Sequence, residues 1–415
     1  MADITLSGAT AADGSSPAPA PVTWRFIALY ALAYTGTVLL FLAPALVSLA
    51  LKVNALVGID RAPASLALIA SVGALVAMFG NPFFGRLSDR TTSALGRRRP
   101  WLVGGLFVGS VGILVVLLGW CIAQLAFNAV LAALVAVMPD QVPVAQRGQV
   151  AGILGVCMPV ASVVGTFLVK LFAPNLVAMF LAPCAVGGFF ILLFAMTMKD
   201  LRHDRALQPR WSVREFATTF YVNPRRNPDF AWAFASRFLF VLAYAFLTTY
   251  QAYYLLDRLG TAEADVAQQI FLGTLVQSIV IVAASLVGGR VSDRTGRRKV
   301  FVAAAAVVYG LALFLIAGAA EVNGFLVGMA ISGLGFGLYM AVDLALVVDV
   351  LPDSGSTAKD LGVLNIAGAL PSSLAPALAP AILALGGGSY AVLYAVAGFC
   401  ALLAAGAILR VRGVH

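Results

Sequence analysis

NPFFGRLSDRTTSALGRRRPW, from Asn81 to Trp101, decides the fold of this chain because a shorter version of it occurs a second time. The second copy, GGRVSDRTGRRKV, runs from Gly288 to Val300. Both copies read Gly-Arg-x-Ser-Asp-Arg-Thr and then a glycine with three basic residues, and each lies between two long apolar segments. A basic loop that recurs half a chain later between apolar segments predicts two homologous halves in a membrane.

The composition also indicates a membrane protein. Of 415 residues, 61% are hydrophobic and 11% are charged, and the mean hydropathy is +0.96, whereas a soluble domain carries about a quarter of charged residues. The net charge is +9, and the basic residues lie between the apolar segments. They therefore indicate the orientation of the chain in the membrane, and no nucleic-acid partner is expected. Four cysteines in apolar runs and two histidines predict no disulfide, no metal site and no cofactor.

Apolar segments of about 20 residues predict about twelve transmembrane helices, six in each half, and therefore an all-α membrane protein. The third and fourth segments are expected at roughly 101–119 and 121–138. The predicted organisation is a disordered tail at 1–22, a first six-helix bundle at 23–198, a linker at 199–229 and a second bundle at 230–415.

The distribution of lysine and arginine predicts the orientation. Both repeated loops and the central linker are rich in basic residues, which favours the cytoplasmic side. With an even number of spans, both termini are then cytoplasmic, in a multi-pass protein of the plasma (inner) membrane. We expect the lipid bilayer, a small-molecule substrate and protons as partners, and a monomeric protein.

The repeat extends beyond the basic loops. Met138-Pro139-Asp140 ends the fourth segment and Leu351-Pro352-Asp353 ends the tenth. Together with the paired G-x-x-S-D-R loops, this order of features resembles the major facilitator superfamily over nearly the whole chain. The longer first loop is similar to that of the glycoside–pentoside–hexuronide symporters and the related sucrose transporters. The second segment has no paired aspartates, so it lacks the sodium site of the melibiose-type members.

The resemblance implies two six-helix bundles around a central cavity and a cytoplasmic gate made by the loops. Asp89 and Asp293 follow helix ends, where the helix dipole disfavours an anion, so each would face the N-terminus of a helix in the opposite half. Asp89 would face Leu361 and Asp293 would face Arg147. Gly85 and Gly289 would allow close helix approach, Arg97 would pair with Asp140, and Arg297 would pair with Asp353. The predicted gate residues are Gly85, Asp89, Arg90, Arg97, Asp140, Arg147, Gly289, Asp293, Arg294, Arg297 and Asp353.

An alternative for the basic clusters is that they only fix topology, which we favour for Arg98, Arg99, Arg298 and Lys299.

Polar and aromatic side chains at helical spacing predict a substrate site, because polar groups inside a bundle face water or one another. Aromatic faces with amide and hydroxyl groups suit a polyhydroxylated ligand. The predicted substrate-binding residues are Tyr34, Thr37, Gln124, Asn128, Tyr244, Thr248, Gln251 and Tyr339. For Tyr253 and Tyr254 an aromatic belt at the membrane surface is the competing interpretation.

Arg237 and Asp343 are the charges most clearly inside spans, at matching depths. Asp343 either carries a proton or forms a static ion pair with Arg237. The predicted function is alternating-access transport, with proton-coupled uptake of a small sugar or glycoside as the first hypothesis and proton-coupled efflux of drugs or metabolites as the second. A membrane enzyme is not expected, because no protease motif, metal cluster or nucleotide loop is present.

Overall fold

The computed structural model describes residues 21–113, 117–198, 200, 227–349 and 357–411. Over these ranges twelve helices follow one another. They are α1 (Trp24–Val57), α2 (Ala62–Asp89), α3 (Arg99–Gly112), α4 (Leu117–Gln141), α5 (Val144–Phe172), α6 (Leu176–Thr197), α7 (Pro228–Arg258), α8 (Glu263–Thr295), α9 (Arg298–Gly318), α10 (Val322–Asp349), α11 (Thr357–Leu385) and α12 (Tyr390–Leu409). A π-helical turn interrupts α1 at Pro44–Ser48, and another ends α7 at Tyr254–Arg258.

The predicted all-α membrane fold is confirmed. Among the described residues, eleven helices are long and apolar enough to cross a membrane, and α3 contributes a twelfth helix of 14 residues. The expected boundary between the third and fourth spans is wrong by several residues, since α3 ends at Gly112 and α4 begins at Leu117. The chain is apolar without interruption from Val111 to Leu118 apart from Gly112, so hydropathy alone cannot locate this turn.

The two halves repeat the same packing. The second helix of each half packs on the fourth, α2 on α4 and α8 on α10. A Cβ added to Gly85 would lie 3.8 Å from Ala132, and one added to Gly289 would lie 3.8 Å from Ala341. This distance is an ordinary van der Waals contact, so close approach at these two positions does not require glycine in this conformation.

The repeated loops lie at one end of the bundle, at 90–98 and 296–297. We call this the basic end and the opposite end the far end. The halves meet through α2 against α11 and through α5 against α8. At the far end the Tyr253 hydroxyl donates to the Ala50 carbonyl at 3.0 Å, and the Lys170 ammonium lies 5.0 Å from the Phe271 ring centroid. These contacts join the two halves at the far end.

Two glycines allow α1 and α6 to pack closely inside the first half. A Cβ added to Gly187 would lie 2.5 Å from the Gly36 carbonyl oxygen, and one added to Gly36 would lie 2.7 Å from the Gly187 carbonyl oxygen. Both obstacles are backbone atoms, which cannot rotate away. Small residues at such crossings allow the backbones of membrane helices to approach closely.

We therefore expect Gly187→Ala to destabilise the protein by about 1–3 kcal/mol, because overpacking forces the two backbones apart. The measurement is thermal unfolding of the purified protein in a mild detergent. Gly406→Ala is the matched control, since nothing lies within 4 Å of a Cβ added there. Equal melting temperatures for the two variants would contradict the predicted collision.

Candidate functional site

The loop of the first half is organised around a buried arginine. Arg98 is 2% exposed, and its guanidinium donates to Asp89 at 2.5 Å, to Ser88 at 2.8 Å and to Asp140 at 3.0 Å. It therefore joins the end of α2, the start of α3 and the end of α4. A buried guanidinium requires partners of this kind, because removing one ion of a buried pair is strongly destabilising.

Two further arginines of the predicted gate have partners in the same half. Arg97 forms the ion pair with Asp140 that the sequence predicted. Arg147 donates to the carbonyls of Val142 at 3.1 Å and Pro139 at 3.2 Å. These carbonyls lie at the C-terminal end of α4, where a cation interacts favourably with the helix dipole.

Asp200 is a member of this network that sequence reasoning missed. Its carboxylate accepts from the backbone N–H groups of Arg98 and Arg99 at 2.7 and 2.8 Å, which makes it an N-terminal cap of α3. A side chain at Gly96, where φ is +99°, would collide with Asp200. The available signal was an aspartate two residues after Met198, the last apolar residue of the sixth span.

The third basic residue of each loop ties the loop to the last helix of its own half. Arg99 donates to the carbonyl of Met198, just past the end of α6. Lys299 donates to the carbonyl of Val411, just past the end of α12, at 2.5 Å. The interpretation of Arg98, Arg99 and Lys299 as topology signals alone is therefore wrong, since each makes a defined contact.

The polar stripe of α4 faces α2. Asn128 accepts from the Asn81 side chain at 3.3 Å and donates to the Gln124 carbonyl at 2.8 Å. Gln124 lies beside Gly73 of α2, 3.5 Å from the position of a Cβ there. Both predicted substrate ligands thus contribute to packing between α2 and α4, and helical periodicity could not tell which neighbour the stripe faces.

The other predicted substrate residues divide by accessibility. Thr37, Gln251 and Tyr339 are buried, with Thr37 donating to Ala33 of its own helix and Gln251 contacting the Leu46 carbonyl of the opposite half at 3.5 Å. These three are not accessible to a substrate in this conformation. The half-buried members are Tyr34, Tyr244 and Thr248, and the Thr248 hydroxyl bonds the Tyr244 carbonyl.

Tyr253 and Tyr254 do not form an aromatic belt. Both are fully buried. Tyr253 joins the halves at the far end, as described above, and the Tyr254 hydroxyl donates to the Ile316 carbonyl of α9 at 2.5 Å. They are structural contacts at the far end of the second half.

Aromatic rings form a cluster between α7, α9 and α10. Tyr244 stacks on Phe336 with 4.6 Å between ring centroids, and Phe240 stacks on Tyr339 at 3.7 Å. Tyr309 lies against Phe240 at 5.0 Å. The Tyr309 hydroxyl is buried and has no hydrogen-bond partner among the described residues, whereas the Tyr339 hydroxyl interacts with the Asp343 carboxylate.

The two charges predicted inside the spans are paired. Arg237 of α7 donates to Asp343 of α10 at 2.6 Å, with their side chains 24% and 11% exposed. Arg237 also lies against α11, since a Cβ added to Gly368 would be 3.7 Å from its guanidinium. Asp343 is one helical turn after Tyr339, so the ion pair borders the aromatic cluster.

Comparison with known proteins identifies the family of this chain. The family model of the Major Facilitator Superfamily matches residues 26–280 and 259–414. The chain belongs to the Major Facilitator Superfamily. It is a transporter in a membrane rather than an enzyme.

Solved structures share the superfamily fold. A nucleoside transporter, NupG, superimposes with a TM-score of 0.69 and 13% identity over 92% of this chain and 98% of that chain. A D-xylose–proton symporter superimposes with a TM-score of 0.69 and 14% identity over 95% and 98%. The multidrug resistance protein MdtL of Klebsiella pneumoniae (strain 342) is 36% identical over 120 residues, and this match spans 29% of each chain.

Of the two loop aspartates, only Asp89 has a described side chain. The carboxylate of Asp89 is 56% exposed and pairs with Arg98 of its own half. Arg90 is half-buried, and Arg294 and Arg297 of the second loop are exposed. The side chains of Asp293 and Leu361 and the whole of Asp353 lie outside the described residues, so their predicted contacts stay predictions.

We expect Arg98→Gln to destabilise the transporter by about 3 kcal/mol or more, because it removes the buried partner of Asp89 and Asp140. The measurement is the melting temperature of the purified protein together with its yield in the membrane. Arg61→Gln, at an exposed position of the α1–α2 connection, is the control and should melt with the wild type. An unaltered melting temperature for Arg98→Gln would show that the network does not hold the loop.

Proposed function

We propose that this transporter takes up a small sugar or glycoside and that a proton gradient drives it. The observation that carries the proposal is the Arg237–Asp343 ion pair inside the second half. Ionisable groups at such depth are costly and typical of ion or proton pathways in transporters. The half-buried aromatic residues Tyr34 and Tyr244 supply faces on which the CH groups of a sugar stack.

The ion pair provides a two-state element for coupling. While Asp343 is ionised, it holds Arg237 at 2.6 Å and joins α7 to α10. A proton on Asp343 removes the charge that holds the guanidinium, so Arg237 must find another partner or contact water. Proton binding and helix rearrangement would then favour each other, as coupled transport requires.

The resemblance of the first loop to the glycoside–pentoside–hexuronide and sucrose branch supports a sugar as substrate. The test is a thermal-shift screen of the purified protein with a pentose, a hexose, a disaccharide and tetraphenylphosphonium. A ligand at a hundred times its Kd stabilises by about 2.7 kcal/mol. Concentrative uptake of the stabilising sugar into proteoliposomes under an imposed pH gradient would complete the test. Stabilisation by the lipophilic cation alone would overturn the sugar assignment.

We expect Asp343→Asn to abolish uptake driven by a pH gradient and to retain exchange of substrate across the membrane, because the asparagine cannot release a proton. The measurement compares both modes in the same proteoliposomes. Glu321→Gln, at the exposed far-end start of α10, is the control and should retain both modes.

If Asp343 is only a static partner, the double variant Arg237→Gln with Asp343→Asn removes both charges and should restore folding and gradient-driven uptake together. Recovery of concentrative uptake in that double variant would exclude Asp343 as the proton carrier.

The distribution of basic residues supports a cytoplasmic location for the basic end and for both termini. In a background without the four native cysteines, Thr92→Cys of the first loop should resist a membrane-impermeant maleimide in intact cells. Asp60→Cys in the α1–α2 connection should react, because both positions are exposed and lie at opposite ends. Labelling of Thr92→Cys from outside would reverse the orientation.

In the proposed cycle, the structure corresponds to a state closed on the outer side through Tyr253 and Lys170. The gate proposed for the loops forms in the opposite state, in which Asp89 would leave its exposed position and approach the start of α11. Arg98 would then exchange one of its partners. The gate therefore remains a proposal about the outward-open state.

Efflux of drugs or metabolites driven by protons is the second candidate. The match to a multidrug resistance protein over 120 residues favours it. Aligned on Pro159, α5 keeps the proline of the efflux-type G-x-x-x-G-P pattern but has Leu154 and Met158 in place of its two glycines. Proton-driven extrusion of tetraphenylphosphonium from inverted vesicles, without sugar uptake, would establish this function instead.

A further inference from the structure

A cavity of about 680 Å³ lies along α2 toward the basic end. Its described walls are apolar side chains of α2 together with Leu125 of α4, except at one end, where Arg86 and Arg90 line it. Gly80 lets α2 approach α4 at the cavity, since a Cβ there would lie 2.9 Å from the Leu125 side chain. The cavity is therefore amphipathic, with its cations at the end of the span.

The residues along the cavity follow one face of α2. Leu75, Phe79 and Phe83 succeed one another at intervals of four and are 39%, 64% and 51% exposed. Arg86 and Arg90 continue the same face. From Leu75 to Arg86 the helix rises roughly 16 Å, which is about half of the ~30 Å hydrocarbon thickness of a bilayer.

We propose that this cavity binds one anionic phospholipid of the leaflet at the basic end. The acyl chains lie along Leu75, Phe79 and Phe83, and the phosphate sits between the guanidinium groups of Arg86 and Arg90. Side chains four residues apart on a helix are neighbours, so both arginines reach one phosphate, for which guanidinium groups are well suited. The apolar length of the cavity matches the chains of a single leaflet.

The second half provides an internal comparison. Arg290 and Arg294 occupy the equivalent positions on α8, but Ala283 and Val287 stand where α2 has Phe79 and Phe83. A general attraction of basic residues to anionic lipid would act equally on both pairs. The proposed site requires the two arginines together with the aromatic wall, so we expect it on α2 and not on α8.

The experiment uses the full chain reconstituted in mixed dioleoyl phosphatidylglycerol and phosphatidylcholine, extracted in a neutral detergent and analysed by native mass spectrometry. We expect the wild type to retain one phosphatidylglycerol in preference to phosphatidylcholine. Arg86→Gln with Arg90→Gln should weaken retention roughly thirtyfold, as expected for two basic residues near an anionic membrane surface. Arg290→Gln with Arg294→Gln should retain the lipid as the wild type does.

Val76→Trp tests the apolar part, because it fills the cavity and leaves both arginines in place. We expect the Val76→Trp variant to lose phosphatidylglycerol. In the wild type, glycerol phosphate in solution should not displace the bound lipid. Equal loss from the two arginine pairs, retention by Val76→Trp, or no preference for phosphatidylglycerol in the wild type would each overturn the site. If the double arginine variant does not fold, the outcome for Val76→Trp decides alone.

Discussion

A charged side chain that is buried away from water needs an oppositely charged or hydrogen-bonding partner. This constraint determines two sets of contacts in the structure. At the basic end, Arg98 is almost fully buried and donates hydrogen bonds to Ser88, Asp89 and Asp140. Because those partners belong to three different segments, the arginine fixes the position of α3 against α2 and α4. Inside the span the same constraint joins Arg237 to Asp343, and there it fixes α7 against α10.

In both halves, the basic loop is bound to the last helix of its own half. Arg99 and Lys299 each bind a carbonyl just beyond the sixth helix of their half, where exposed carbonyls favour a cation. The first half also has Asp200, which caps α3 and is accommodated by Gly96. The described contacts therefore hold the first loop to α2, α4 and the residues that follow α6.

The sequence predicted the features that depend on charge or on long apolar runs. It predicted the helical membrane fold, the Arg97–Asp140 pair and the Arg237–Asp343 pair, because charges in an apolar chain are few and must find each other. It could not predict which way Gln124 and Asn128 face, since every side of a transmembrane helix is apolar enough to contact lipid or protein. It also missed the role of Arg98, because three adjacent arginines look alike until the fold buries one of them.

The position of the inner ion pair links the proposed proton site to the contact between halves. Arg237 lies beside Gly368 of α11, with room for a methyl group between them, and α11 packs against α2 of the first half. Nothing larger than a methyl group fits between Gly368 and the guanidinium without displacing it. A movement of Arg237 that follows neutralisation of Asp343 would therefore act directly on α11. In the proposed cycle, a proton bound inside the second half would in this way alter how α11 meets α2 of the first half.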